Sequence, residues 1–187
     1  LVESVVFPKG EYGSGTWPSL SARQMGLFRR AVITVVRETI NEQRWRKIHG
    51  STDAYVCYAA GVPCLLFRLK VQRIQILSQV ISRGCDQLLC LLAATAKCKG
   101  AWFNAVLAYL HWLATRCGKM AEFRGASVAR WMRFMKPHPR YILRMARATA
   151  LAATTEDYEL SMESGAISIV TADGDVGRNF SGSRGFL

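Results

Sequence analysis

Between residues 124 and 147 the chain places seven cations and no carboxylate: Arg124, Arg130, Arg133, Lys136, Arg140, Arg144 and Arg147. Trp131, Phe134 and Tyr141 are interleaved with them. Cations that track a row of phosphates, beside aromatic faces on which bases stack, are the components of a nucleic-acid contact. Helical periodicity offers a second reading of the aromatics. Val128, Trp131, Phe134, Met135 and Ile142 can share one buried stripe while the cations hold the solvated face. The uncompensated positive charge favours binding.

Catalytic patterns are absent from the sequence. No glycine-rich phosphate loop precedes a helix, no G-x-S-x-G elbow occurs, and no histidine pair has metalloprotease spacing. Asp173 and Asp175 have a D-x-D spacing that can hold a hard cation, but the other ligands of a calcium loop are missing and Asp-Gly reads as a turn. Carboxylates in the first 153 residues are too few for paired acid–base work. The chain is therefore expected to be a non-enzyme with neither cofactor nor metal.

Six cysteines, at 57, 64, 85, 90, 98 and 117, form no C-x-x-C pair, and His49, His111 and His138 are scattered. Zinc needs closely spaced ligand pairs to close a tetrahedron. Cys57, Cys85, Cys90 and Cys98 lie among apolar neighbours, so they are expected to act as small buried hydrophobes. That usage favours a reducing intracellular or organellar compartment.

The elements that must position the basic segment are helices. A chain of 187 residues, half of them hydrophobic, fits a single domain with a tail. It opens on Leu1 and reads as a fragment or a processed product. Three regions follow from composition: an N-terminal strand and turn over 1–18, a basic helical domain over 19–153, and a tail over 154–187. The tail holds six carboxylates against two arginines, a balance of −4, so with a net charge of +12 for the chain the body carries +16. Its acidic start gives way to a Gly/Ser-rich end, and it is expected to be extended or disordered with one short strand. The fold class is mainly α, a compact bundle of about six to seven helices.

Ser21 and Gln24 have the spacing of a capping box. Behind them Met25, Phe28, Val32, Val35 or Val36 and Ile40 recur at helical spacing, with Arg23, Arg30, Arg37 and Arg44 on one polar face. A short helix closes at Gly61, and Pro63 suits the first turn of the next. That next helix carries an apolar stripe from Leu65 and Leu66 to Ile81, with Arg68, Lys70 and Arg73 expected in solvent. Two apolar helices follow over 86–96 and 101–116, each closed by a glycine; they are too short to span a membrane and are expected in the core. "SVARWMRFMK" is the next helix, stopped by "PHP", and a last helix opens at Pro139 and runs to about Ala153.

The opening stretch resembles the segment just beyond the polymerase palm of non-LTR retrotransposon reverse transcriptases. Tyr12, Gly13, Thr16, Trp17, Leu20, Phe28, Arg29 and Arg30 match a "YG…TW-x-x-L" turn leading to a helix with "F…RR". "GVPCLLFRLKVQRIQIL", with Arg68 and Arg73 in its basic positions, and "LAYLHWLATR" are similar to later helices of that family. The similarity covers residues 5 to 116. The catalytic Y/F-x-D-D strand and a Cys-His knuckle have no counterpart. The resemblance implies a thumb and post-polymerase unit that holds template and primer without polymerising. In such a unit Arg29, Arg30, Arg68 and Arg73 would join the 124–147 face in gripping phosphates.

Two functions remain open at this level. One is a non-catalytic nucleic-acid-binding module for RNA or DNA. The other is an accessory subunit of a large organellar or membrane assembly, docking through the apolar helices between 86 and 116 with its tail along its neighbours.

Overall fold

The computed structural model describes residue 16 and residues 21–45, 52–96, 98 and 102–163, with the side chains of 39–45 excluded. The Trp17-Pro18 junction, the strand expected after residue 164 and the Asp173–Asp175 turn lie outside the described residues. Within them the protein is a bundle of helices: α1 Ala22–Trp45, α2 Asp53–Ala59, α3 Leu65–Arg83, α4 Asp86–Thr95, α5 Trp102–Arg116, a 3-10 segment Gly118–Phe123, α6 Val128–Met135 and α7 Pro139–Glu163. No strand occurs among the described residues.

The capping box forms as its spacing predicts. Gln24 N–H donates to Ser21 Oγ at 3.3 Å, and Ser21 N–H donates to Gln24 Oε1 at 3.0 Å, so each side chain satisfies an amide that the helix start leaves open. Of the two valines at the ambiguous position, Val36 is buried and Val35 exposed. Thr52 caps α2 by accepting from Tyr55 N–H. Gly61, at φ +66°, makes the left-handed stop that a Cβ would oppose. Pro63 lies two residues before α3 rather than inside its first turn.

The chain divides into two compact units. In the first, whose described residues are 25–45, 52–65 and 151–163, Arg29 and Arg37 of α1 both pair with Asp53 at the start of α2. Tyr158 of α7 stacks on Tyr58 of α2, with ring centroids 4.2 Å apart, and Tyr55 flanks it at 5.7 Å. The second unit, residues 66–150 with the first turn of α1, holds a continuous apolar core. There Ile74, Leu77 and Ile81 of α3 meet Phe103, Val106, Leu110 and Leu113 of α5, and Ile142, Ala146 and Ala150 of α7. The spacing of three and four residues puts each set on one helix face.

Several expectations fail for tertiary reasons. The last helix does not stop near Ala153 but continues to Glu163. The first ten residues of the expected tail are thus helical, because Ala153 and Thr154 are buried and Tyr158 has a stacking partner. Helix α4 is only partly a core helix: none of its residues is fully buried, Leu89 and Leu92 lie half-buried against the core, and Leu88 and Leu91 are exposed. Cys85, Cys90 and Cys98 are exposed and only Cys57 is buried. Leu66 is exposed although it sits beside the stripe, since the inward face of α3 passes through Leu65 and Leu69. Gly118 is not a left-handed stop; it opens the 3-10 segment that packs against α5. Among the described residues, no helix is long and apolar enough to cross a membrane.

Candidate functional site

Helix α6 is capped by Ser127, whose Oγ accepts from Arg130 N–H at 3.3 Å. The turn before it needs Gly125, at φ +70°. Over eight residues the helix turns Trp131 and Met135 inward and leaves Arg130 and Arg133 outside. Lys136 N–H still donates to Met132 O, and His138 N–H donates to Met135 O at 3.2 Å. Pro139 then takes the first position of α7, where a missing N–H costs nothing, and His138 O accepts from Ile142 N–H at 3.2 Å. Ser78 Oγ on α3 donates to Pro139 O at 3.3 Å. The α6–α7 corner is thus tied at both ends.

An aromatic chain lines this corner. Phe123 lies 4.7 Å from Trp131 and 4.6 Å from Phe134, ring centre to ring centre. Phe134 continues to His138 at 5.2 Å and meets Tyr141 edge-on at 6.2 Å. Trp131 is buried and serves the core, so it cannot stack on a ligand without leaving it. Phe134 and Tyr141 are half-buried, and each lines a cleft beside the corner.

Two clefts flank the corner. The larger, of about 560 Å³, is lined by Glu122, Phe123, Arg130, Arg133, Phe134 and His138 among others. The smaller, of about 350 Å³, lies between the Pro137–Pro139 turn, Arg140 and Tyr141. Arg130 reaches Glu122 at 3.4 Å and covers the Phe123 ring at 5.1 Å. Arg144 covers Tyr141 at 5.5 Å. Arg133, Lys136, Arg140 and Arg147 are exposed, and among the described residues no carboxylate pairs with them.

The other predicted site residues separate into different roles. Arg124 serves the fold: its Nε and Nη2 donate to Ala114 O at 3.3 Å and Thr115 O at 3.2 Å, at the C-terminal end of α5, where a cation offsets the helix dipole. Arg73 is buried, 6 % exposed, with Nη1 donating to Tyr109 OH at 2.9 Å and its guanidinium over the Tyr109 ring. The expectation that Arg73 stays in solvent is therefore overturned, because α5 places a phenol where its head group lands. Lys70 does not extend into solvent either; its Nζ lies over the stacked rings of Phe67 and Trp112, 4.6 Å from the latter. Arg68 is half-buried. Arg29 and Arg30 are exposed on α1, in the other unit, where Arg29 is engaged with Asp53. The structure thus gathers Arg130, Arg133, Lys136, Arg140 and Arg144 on successive elements of one corner.

Sequence reasoning passed over Glu122, Phe123 and His138. The first two stand just before the segment chosen for its lack of carboxylates, and the third was set aside as a scattered histidine. Their only signal was the short connection between two amphipathic helices, which leaves its ends beside the next helix.

No protein-family model, curated protein or solved structure matches the chain.

Proposed function

We propose that the chain is a non-catalytic, basic helical module that binds nucleic acid through the α6–α7 corner. The observation that carries this reading is the run of exposed cations, Arg133, Lys136 and Arg140, without carboxylate partners among the described residues and beside accessible Phe134 and Tyr141. Cations of this kind release condensed counterions when they meet phosphates, which drives association. The resemblance of residues 5 to 116 to the post-palm segment of non-LTR retrotransposon reverse transcriptases supports the same reading, as a thumb-like unit lacking the polymerase. An accessory-subunit role has one observation in its favour, the apolar surface of α4 at Leu88 and Leu91.

The test is binding of labelled single-stranded RNA, matched DNA and a duplex across a salt series. Affinity is expected to fall linearly in log salt. Replacing Arg130, Arg133, Arg140 and Arg144 by Gln should lower the slope by about 3 for a single strand, at about 0.7 per phosphate contact. Absence of binding at low salt would overturn the proposal.

A further inference from the structure

We infer that the larger cleft at the α6–α7 corner is a subsite for one unpaired nucleotide, which it reads at the polar edge of the base. This rests on the nucleic-acid reading above and narrows it to single strands. The cleft combines three chemistries. The Phe134 and His138 rings, 5.2 Å apart between centroids and tilted by 46° to each other, both line it. Arg130 and Arg133 supply cations at its wall. Glu122 adds a carboxylate that is 66 % exposed in its side chain. Its volume of about 560 Å³ falls in the range of about 300–1,000 Å³ typical of small-molecule sites.

The carboxylate decides the ligand. On a face that only gripped phosphates, Glu122 would repel the ligand and weaken Arg130. Beside stacking rings it has another use, because a carboxylate accepts hydrogen bonds from exocyclic amino groups such as cytosine N4–H₂. In a duplex one N–H of each amino group pairs with the partner base and both faces of the base are covered by its stacked neighbours, whereas a splayed single-stranded base offers its whole pairing edge while it stacks on a side chain. The phosphates on either side then meet Arg133 and its neighbours. The site therefore favours unpaired, amino-bearing bases over thymine or uracil.

The experiment uses the full chain and fluorescently labelled DNA of one length: oligo-dC, oligo-dT, a fully abasic strand and a duplex. Oligo-dC is expected to bind about 5- to 150-fold tighter than the abasic strand, the span for stacking one base on an aromatic ring. It should also outcompete oligo-dT and the duplex. Glu122→Gln should bring the dC and dT affinities together while raising binding of the abasic strand. His138→Ala, at an exposed position, and Phe134→Leu, which keeps the apolar volume, should each reduce the dC advantage over the abasic strand. If the abasic strand binds as tightly as oligo-dC with a steep salt dependence, the basic face stands and the nucleotide subsite falls. If Glu122→Gln tightens every probe by the same factor, Glu122 only tethers Arg130 and the base-edge reading is overturned. If no probe binds at low salt, both proposals fall together.

Discussion

The backbone amide of Cys64 donates to the hydroxyl of Thr154 at 2.9 Å, across 90 residues of chain. Cys64 is the residue before α3, so its amide is one of those a helix start leaves open. Thr154, fully buried on α7, satisfies it. Thr154→Val keeps the shape and removes the acceptor, which should cost about 1 kcal/mol, the usual net worth of a hydrogen bond, because Cys64 is half-buried. Urea denaturation followed by circular dichroism measures it, and an unchanged midpoint would mean that the bond contributes nothing.

The same junction brings two thiols together. Cys57 is pushed up, first by donating its S–H to Cys64 and then by burial; Cys64 is pulled down, first by that hydrogen bond and also by Thr154, against burial. Cys64 therefore ionises more readily folded than unfolded. Its contribution to stability is present above the ordinary thiol range near about 8.5 and is lost as pH falls through its lower folded value. Cys57 has the opposite sign and removes stability as pH rises beyond that range. With Cys85, Cys90, Cys98 and Cys117 replaced by Ser, ultraviolet titration should show one thiolate forming below the ordinary range. Cys57→Ala should move that transition up. A single unshifted transition for both thiols would refute the pairing.

Arg73 separates stability from binding. Its guanidinium is buried against Tyr109, so Tyr109→Phe removes an acceptor from a buried charge and should destabilise by about 1.5–3 kcal/mol. The salt slope of nucleic-acid binding should not change. A lower slope with unchanged stability would return Arg73 to the phosphate contacts.

Two leucines on neighbouring helices give the contrast between core and surface. Leu113 on α5 is fully buried, whereas Leu91 on α4 is 63 % exposed. Leu113→Ala should cost about 2–5 kcal/mol through lost burial and the cavity left behind. Leu91→Ala should stay within about 0.5 kcal/mol, the usual range for surface changes. Equal losses, compared by denaturant midpoint, would place α4 in the core after all.

Much of the helical architecture was legible because it rests on local chemistry. The Ser21–Gln24 capping box, the stop at Gly61, the "PHP" break and the stripes of α3 and α5 are written in spacing and in backbone preference, which act over a few residues. The basic corner was legible as a cluster of cations for the same reason.

What only the tertiary structure decided concerns side chains whose partners lie far along the chain. Hydropathy put Arg73 in solvent, but Tyr109 gives it a buried acceptor. It put Cys85, Cys90 and α4 inside, yet a helix apolar on most sides is buried only where neighbours cover it, and α4 meets the core through Leu89 and Leu92 while Leu88 and Leu91 stay exposed. Thr154 and the acidic residues after it resemble a tail until Cys64, Tyr55 and Tyr58 are seen to hold that turn of α7. Glu122, Phe123 and His138 line one cleft only because the connection before α6 and the turn after it meet at one corner. Sequence alone determined which residues could form helices and carry charge. Packing over long separations determined which of those charges are buried against a partner and which stay exposed.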